Sequence, residues 1–154
     1  QETFDRIIAP QNLVQIVGEG PERLRLFEGI RNRLAPDGRV AITFIEELPV
    51  ESMEIPPQPE VFESGGWTWS SLSVNLEAEP GSITLHRLRQ RIAPDGEIRT
   101  SEAETRFTRV SAVAIEAGLL AAGLGPAEIR DMPVSADYID SVLATCSLPA
   151  TGAE

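Results

Sequence analysis

Apolar positions recur along the chain with two periods, and the way the periods alternate predicts the elements. Phe4-Asp5-Arg6-Ile7-Ile8-Ala9-Pro10 is a short β-branched run, stopped where Pro10 brings no N–H to the ladder. The loop 11–20 is partly apolar, Leu13 to Val17 suffices for one helical turn, and Gly18-Glu19-Gly20 closes it. Pro21 suits the first position of a helix. Leu24, Phe27, Ile30 and Leu34 then return at three- and four-residue steps and make one apolar face. Glu22 near its start and Arg31 and Arg33 near its end complement the helix dipole. Ala35-Pro36-Asp37-Gly38 ends the helix and turns the chain. Val40 to Ile45 is apolar on both faces, which predicts a strand covered on both sides, as in a parallel sheet. Residues 4–48 therefore read as a βαβ crossover.

The pattern changes after Ile45. Residues 46–66 carry Pro49, Pro56, Pro57, Pro59 and Ser64-Gly65-Gly66. They predict a loop, and one of that length inside a compact domain is often functional. Trp67–Glu77, Ile83–Ile92 and Glu97–Arg109 predict strands, separated by turns at Glu79-Pro80-Gly81-Ser82 and Pro94-Asp95-Gly96, hence an antiparallel meander. Ser111 is placed to cap a helix over 112–122 that Gly123 ends. Strands are expected at about 128–134 and 141–148, before a small, polar tail.

Composition narrows the function classes. The chain has 154 residues, enough for one domain with a real core, and a formal net charge of −11. Its 13 positive side chains are all arginine. The acidic balance argues against a nucleic-acid partner, which needs clustered cations, and no basic membrane-surface helix is present. A single cysteine, Cys146, excludes an intrachain disulfide and makes a reducing cytoplasm the expected compartment. The chain opens on Gln1 and enters an apolar strand within four residues, from which we expect the sequence to begin within a domain.

The order is thus a parallel βαβ, an antiparallel insertion over 46–109, a helix and two closing strands. It resembles the C-terminal part of a class I S-adenosylmethionine-dependent methyltransferase. Phe4-Asp5-Arg6-Ile7-Ile8-Ala9-Pro10 is similar to the family's fourth strand, and Asn12-Leu13 to the Asn and apolar residue that follow it. Arg31-Asn32-Arg33-Leu34-Ala35-Pro36-Asp37-Gly38-Arg39 looks like its helix, turn and fifth strand. Ala117 to Gly123 resembles the last helix, and Asp140-Ser141-Val142-Leu143-Ala144 the final strand. The resemblance covers nearly the whole chain. It implies an α/β fold: a partial Rossmann-like methyltransferase sheet (strands 4 to 7) with an inserted antiparallel β-meander. It also implies S-adenosylmethionine as cofactor and a small-molecule acceptor. Two family features are absent from this sequence: the glycine-rich loop after strand one, and the acidic residue after strand two that holds the cofactor ribose. Gly18-Glu19-Gly20 follows a loop rather than a strand and reads as a helix lead-in.

Ligands in open α/β sheets bind beyond the carboxyl ends of the strands. The resemblance accordingly implies Pro10, Gln11 and Asn12 at the cofactor, with ordinary loop polarity as the alternative. Glu46 is a candidate general base and Glu47 a candidate to orient an acceptor; both also fit exposed loop carboxylates. Trp67 and Trp69 alternate onto one strand face, fit to wall an acceptor pocket, to pack a core or to make a homodimer through the meander. His86, the single histidine, is a candidate base or a half-exposed strand residue. Arg87, Arg89 and Arg91 share a face, solvated or facing an acidic group. No conventional zinc set and no Gly-x-Ser-x-Gly elbow occurs. The rival reading is a complete, non-catalytic α+β domain that binds a partner or ligand through the meander.

Overall fold

The computed structural model describes residues 2–10, 12–56, 58–133 and 140–150. They fall into two compact units: residues 1–48 with 108–154, and residues 49–107.

In the first unit β1 (Phe4–Ala9) leads through a short α1 (Leu13–Ile16) and α2 (Pro21–Arg31) to β2 (Leu34–Phe44). After the second unit come α3 (Ala112–Ala121), β8 (Glu128–Met132) and β9 (Ser141–Ser147). The sheet order is β1-β2-β9-β8, with β1 parallel to β2 and the other pairings antiparallel. The predicted crossover is present, but β2 begins earlier than the turn at 35–38 suggested. Phe4 pairs with Leu34 and Arg6 with Arg39, so Ala35–Gly38 bulges out of the ladder. Gly38 suits the bulge because a Cβ there would stand 2.6 Å from Leu34 Cδ1 and 2.9 Å from the Ala35 carbonyl oxygen.

The expectation that β2 is covered on both faces is corrected. Val40, Ile42 and Phe44 are buried, while Ala41 and Thr43 between them are only half-buried. Val142, Ala144 and Cys146 of β9 alternate in the same way. The covered face packs on Val14 of α1, Phe27 and Ile30 of α2, and Ile115 and Leu119 of α3. Among the described residues all three helices thus lie on one side of the sheet. The opposite face carries the apolar side chains Leu143, Met132 and Ile8, the last 68% exposed. A run such as Val-Ala-Ile-Thr-Phe reads as two-sided because alanine and threonine also tolerate partial exposure.

Helix termini follow the sequence. Pro21 opens α2, and Ser111 Oγ accepts from Ala114 N at 3.2 Å to cap α3. Gly123, at φ +82°, ends α3 in the left-handed region. Strand β8 stops at Met132, and Val134, where the predicted strand ended, lies outside the described residues.

The second unit is a sheet in the order β3-β5-β6-β7, with β4 also on β5. Its strands are β3 (Met53–Glu54), β4 (Glu60–Ser64), β5 (Trp67–Glu79), β6 (Ser82–Ile92) and β7 (Ile98–Thr108), the last residue belonging to the first unit. The meander is as predicted, but the supposed loop 46–66 contains two strands. Ser64 pairs with Trp67, leaving Gly65 and Gly66, at φ +57° and +78°, as a two-residue hairpin turn.

Register fixes which side chains share a face. Phe62 lies opposite Trp69, Trp69 opposite Arg91, and Ser71 opposite Arg89. A bulge at Ser73–Asn75 then shifts β5 by one residue, so Leu76 faces Leu85 and Glu77 faces Thr84. Gln90 Nε2 donates to Thr100 Oγ1 at 3.4 Å, and His86 Nδ1 lies 3.4 Å from Glu104 Oε1, which puts the even-numbered residues of β7 beside the even-numbered residues of β6. By alternation one face carries Phe62, Trp67, Trp69, Arg87, Arg89, Arg91 and Arg99. The other carries Glu63, Glu77, Glu79, Glu102 and Glu104, with His86 and Arg106 among them.

Candidate functional site

Beyond the carboxyl ends of β1 and β2 the backbone is held by a buried polar network. Gln15 lies in α1 between apolar neighbours and is fully buried. Its Nε2 donates to the carbonyls of Ile45 at 3.0 Å and Thr108 at 3.1 Å, and its Oε1 accepts from Ile45 N at 2.9 Å. One side-chain amide therefore serves as strand partner at the point where β2 ends. Thr108 Oγ1 donates to the Gln15 carbonyl at 3.1 Å. Arg23 of α2 donates to the carbonyls of Val14 and Gly18, both at 2.9 Å, and to Thr108 Oγ1 at 2.8 Å. Burial pulls the Arg23 guanidinium below its ordinary pKa, and the Glu19 carboxylate partly offsets this. Arg109 Nη1 donates to the Leu48 carbonyl at 2.6 Å. These contacts join the strand where the chain leaves the unit to the residues where it returns.

Two clefts open around this network. One, of about 510 Å³, is lined by Glu19, Gly20, Arg23, Glu46, Arg109 and Ser111, among others. The other, of about 360 Å³, is lined by Glu46, Glu47, Asp131, Met132 and Asp140, among others. Glu46 borders both, and its Oε1 accepts from Ala112 N at 2.8 Å, so this carboxylate also supports the N-terminus of α3. Among the described residues no group of His, Cys, Asp and Glu is spaced to hold a metal ion.

The candidates read from the sequence are distributed as follows. Pro10 and Asn12 flank the end of β1, and Asn12 takes a left-handed conformation, φ +62°. Gln11 lies outside the described residues. Glu46 and Glu47 follow β2 and meet at the second cleft. Trp67, Trp69 and His86 belong to the second unit. The tryptophan rings stack at 6.3 Å between centroids, with Phe62 at 5.6 Å from Trp69. Arg91 lies 5.0 Å from the Trp67 ring. His86 stands on the opposite face between Glu77 and Glu104, 3.4 Å from each, and its Nε2 has no hydrogen-bond partner among the described residues. Sequence reasoning missed Gln15, Arg23, Thr108 and Arg109. The available signal was Gln15 itself, a lone polar residue inside an apolar run.

No family model matches this chain, and no curated protein matches it. Solved structures do match in fold. A S-adenosylmethionine-dependent methyltransferase from Clostridium acetobutylicum superposes with a TM-score of 0.65 at 12% identity, over 96% of this chain and 59% of that one. The sugar N-methyltransferase KedS8 from Streptoalloteichus gives 0.66 at 17% identity, over 96% and 57%. CalS10, an amino pentose methyltransferase from Micromonospora echinaspora solved with S-adenosylmethionine bound, gives 0.59 at 18%, over 94% and 58%. The chain has a mixed α/β fold shared with small-molecule methyltransferases and spans somewhat under three fifths of the length of these three. Among the described residues no helix is long and apolar enough to cross a membrane.

Proposed function

We propose that this chain is the C-terminal portion of a methyltransferase that moves a methyl group from S-adenosylmethionine to a small-molecule acceptor. The observation that carries the reading is the sheet order β1-β2-β9-β8, with one parallel pair and a reversed last strand, in a chain matched over nearly its whole length by such enzymes. In this reading β1, β2, β8 and β9 are strands four to seven. Pro10, Gln11 and Asn12 form the lip of the cofactor pocket. Glu46 and Glu47 stand beyond β2, while Trp67 and Trp69 wall the acceptor. Methyl transfer to nitrogen or oxygen is a displacement, so holding donor and acceptor in line supplies most of the rate and a general base is optional. The glycine-rich turn that brings backbone N–H groups to the cofactor is not in this sequence. Among the described residues the helices lie on one face of the sheet and Ile8 is exposed on the other, which supports the same reading, since a doubly wound sheet carries helices on both faces.

The site assignment is tested by photolabelling the product of the complete reading frame with S-adenosylmethionine and mapping the labelled peptides. Label on the segment 10–13 is expected. Efficient labelling confined to other parts of residues 1–154 would contradict it.

A further inference from the structure

We propose that the arginine face of residues 49–107 binds a small molecule carrying an anionic group beside a planar or apolar ring. In calling that molecule the methyl acceptor, the proposal rests on the reading above; binding itself does not. Three observations on this one face carry it.

The first is the aromatic row. Phe62, Trp69 and Trp67 succeed one another at 5.6 and 6.3 Å between centroids, and Arg91 closes the row 5.0 Å from the Trp67 ring. Trp69 and Phe62 are 37% and 64% exposed, so their rings are available to a ligand rather than spent in a core. The second is the cleft of about 530 Å³ that Phe62 and Trp69 border, lined also by Arg89, Arg91, Arg99 and Ser71. That volume falls within the range of small-molecule sites. The third is charge. Arg99 is paired with Glu97 at 3.0 Å, and Arg87 Nε meets only Ser73 Oγ, at 3.4 Å. Arg91 has its aromatic contact, and Arg89 has no hydrogen bond or ion pair among the described residues. Glu60 is the remaining carboxylate at the cleft.

In a chain of net charge −11, this leaves a local excess of positive charge beside exposed rings. The opposite face holds Glu63, Glu77, Glu79, Glu102 and Glu104. A guanidinium pair matches a carboxylate, sulfate or phosphate in fork geometry, and the rings match a planar body. A second copy of the chain fits less well, because a twofold contact through this face would set arginines against arginines. A nucleic-acid polymer fits poorly with the overall negative charge.

Calorimetric titration of the chain with 1-naphthyl phosphate, 1-naphthol and inorganic phosphate tests the proposal. The naphthyl phosphate is expected to bind saturably and about tenfold or more tighter than either part alone. The double variant Arg89→Gln/Arg91→Gln is expected to weaken it by a similar factor, and Trp69→Ala to weaken both ring-bearing probes. Both sites are exposed, and Glu102→Gln on the opposite face is expected to leave affinity unchanged. No saturable binding, equal affinity for 1-naphthol, or an unaffected arginine variant would overturn it. A concentration-dependent dimer that Trp69→Ala disperses would also overturn it, by giving the face to a second copy.

Discussion

Gly118 shows how closely single residues are fitted. It lies in α3, where a Cβ would stand 2.8 Å from Phe27 Cε2, and Phe27 is fully buried in α2. Alanine is the better helix former, but here the ring has nowhere to go. Gly118→Ala is expected to cost about 1–3 kcal/mol by overpacking, read as a lower urea midpoint with an unchanged slope. Gln15 is fitted in polar terms. Gln15→Ala leaves Ile45 N and two carbonyls without their partner and is expected to cost about 1–3 kcal/mol. Cys146 gives a pH signature. Burial pushes its thiol from 9.0 up to about 11. The folded thiol holds its proton more tightly than the unfolded one, so its contribution is complete below pH 9 and is lost as pH rises to about 11. The loss is at most about 1.4 kcal/mol per pH unit. Subtracting the stability profile of Cys146→Ala from that of the parent should isolate this slope; parallel profiles would contradict it.

At the scale of elements, the sequence announced those that are self-contained. Helix α2 was legible from its period and Pro21, α3 from Ser111 and Gly123, and the meander from its glycine turns, because these signals are local. Strands β3 and β4 were hidden by prolines around a stretch that becomes a strand only by pairing with β5. The one-sided cover of β2 was hidden because alanine and threonine suit either environment. The polar network was illegible for another reason: Gln15 and Thr108 are 93 residues apart, and no local pattern joins them. The same elements carry an expectation about β1, which pairs on one edge only among the described residues and exposes Ile8. Such an edge invites association. The isolated chain is expected to self-associate with rising concentration in sedimentation velocity, and Ile8→Lys to reduce this without loss of stability. A parent chain monomeric at all concentrations would contradict it.

At the scale of the whole molecule, a sheet like that of methyltransferases is built from a sequence without the glycine-rich cofactor turn. In the function proposed above, the ends of β1 and β2 carry the cofactor lip, with Pro10 and Asn12 in it. Among the described residues no glycine-rich turn leads from a strand into a helix to cradle the nucleotide. Lip and cradle are expected to bind only together, since each alone leaves much of the ligand in water. The most direct measurement is a calorimetric titration with S-adenosylmethionine, run in parallel on residues 1–154 and on the product of the complete reading frame. Micromolar binding by the complete product, and little or none by residues 1–154, is expected. Micromolar binding by the 154-residue chain alone, or none by the complete product, would contradict it.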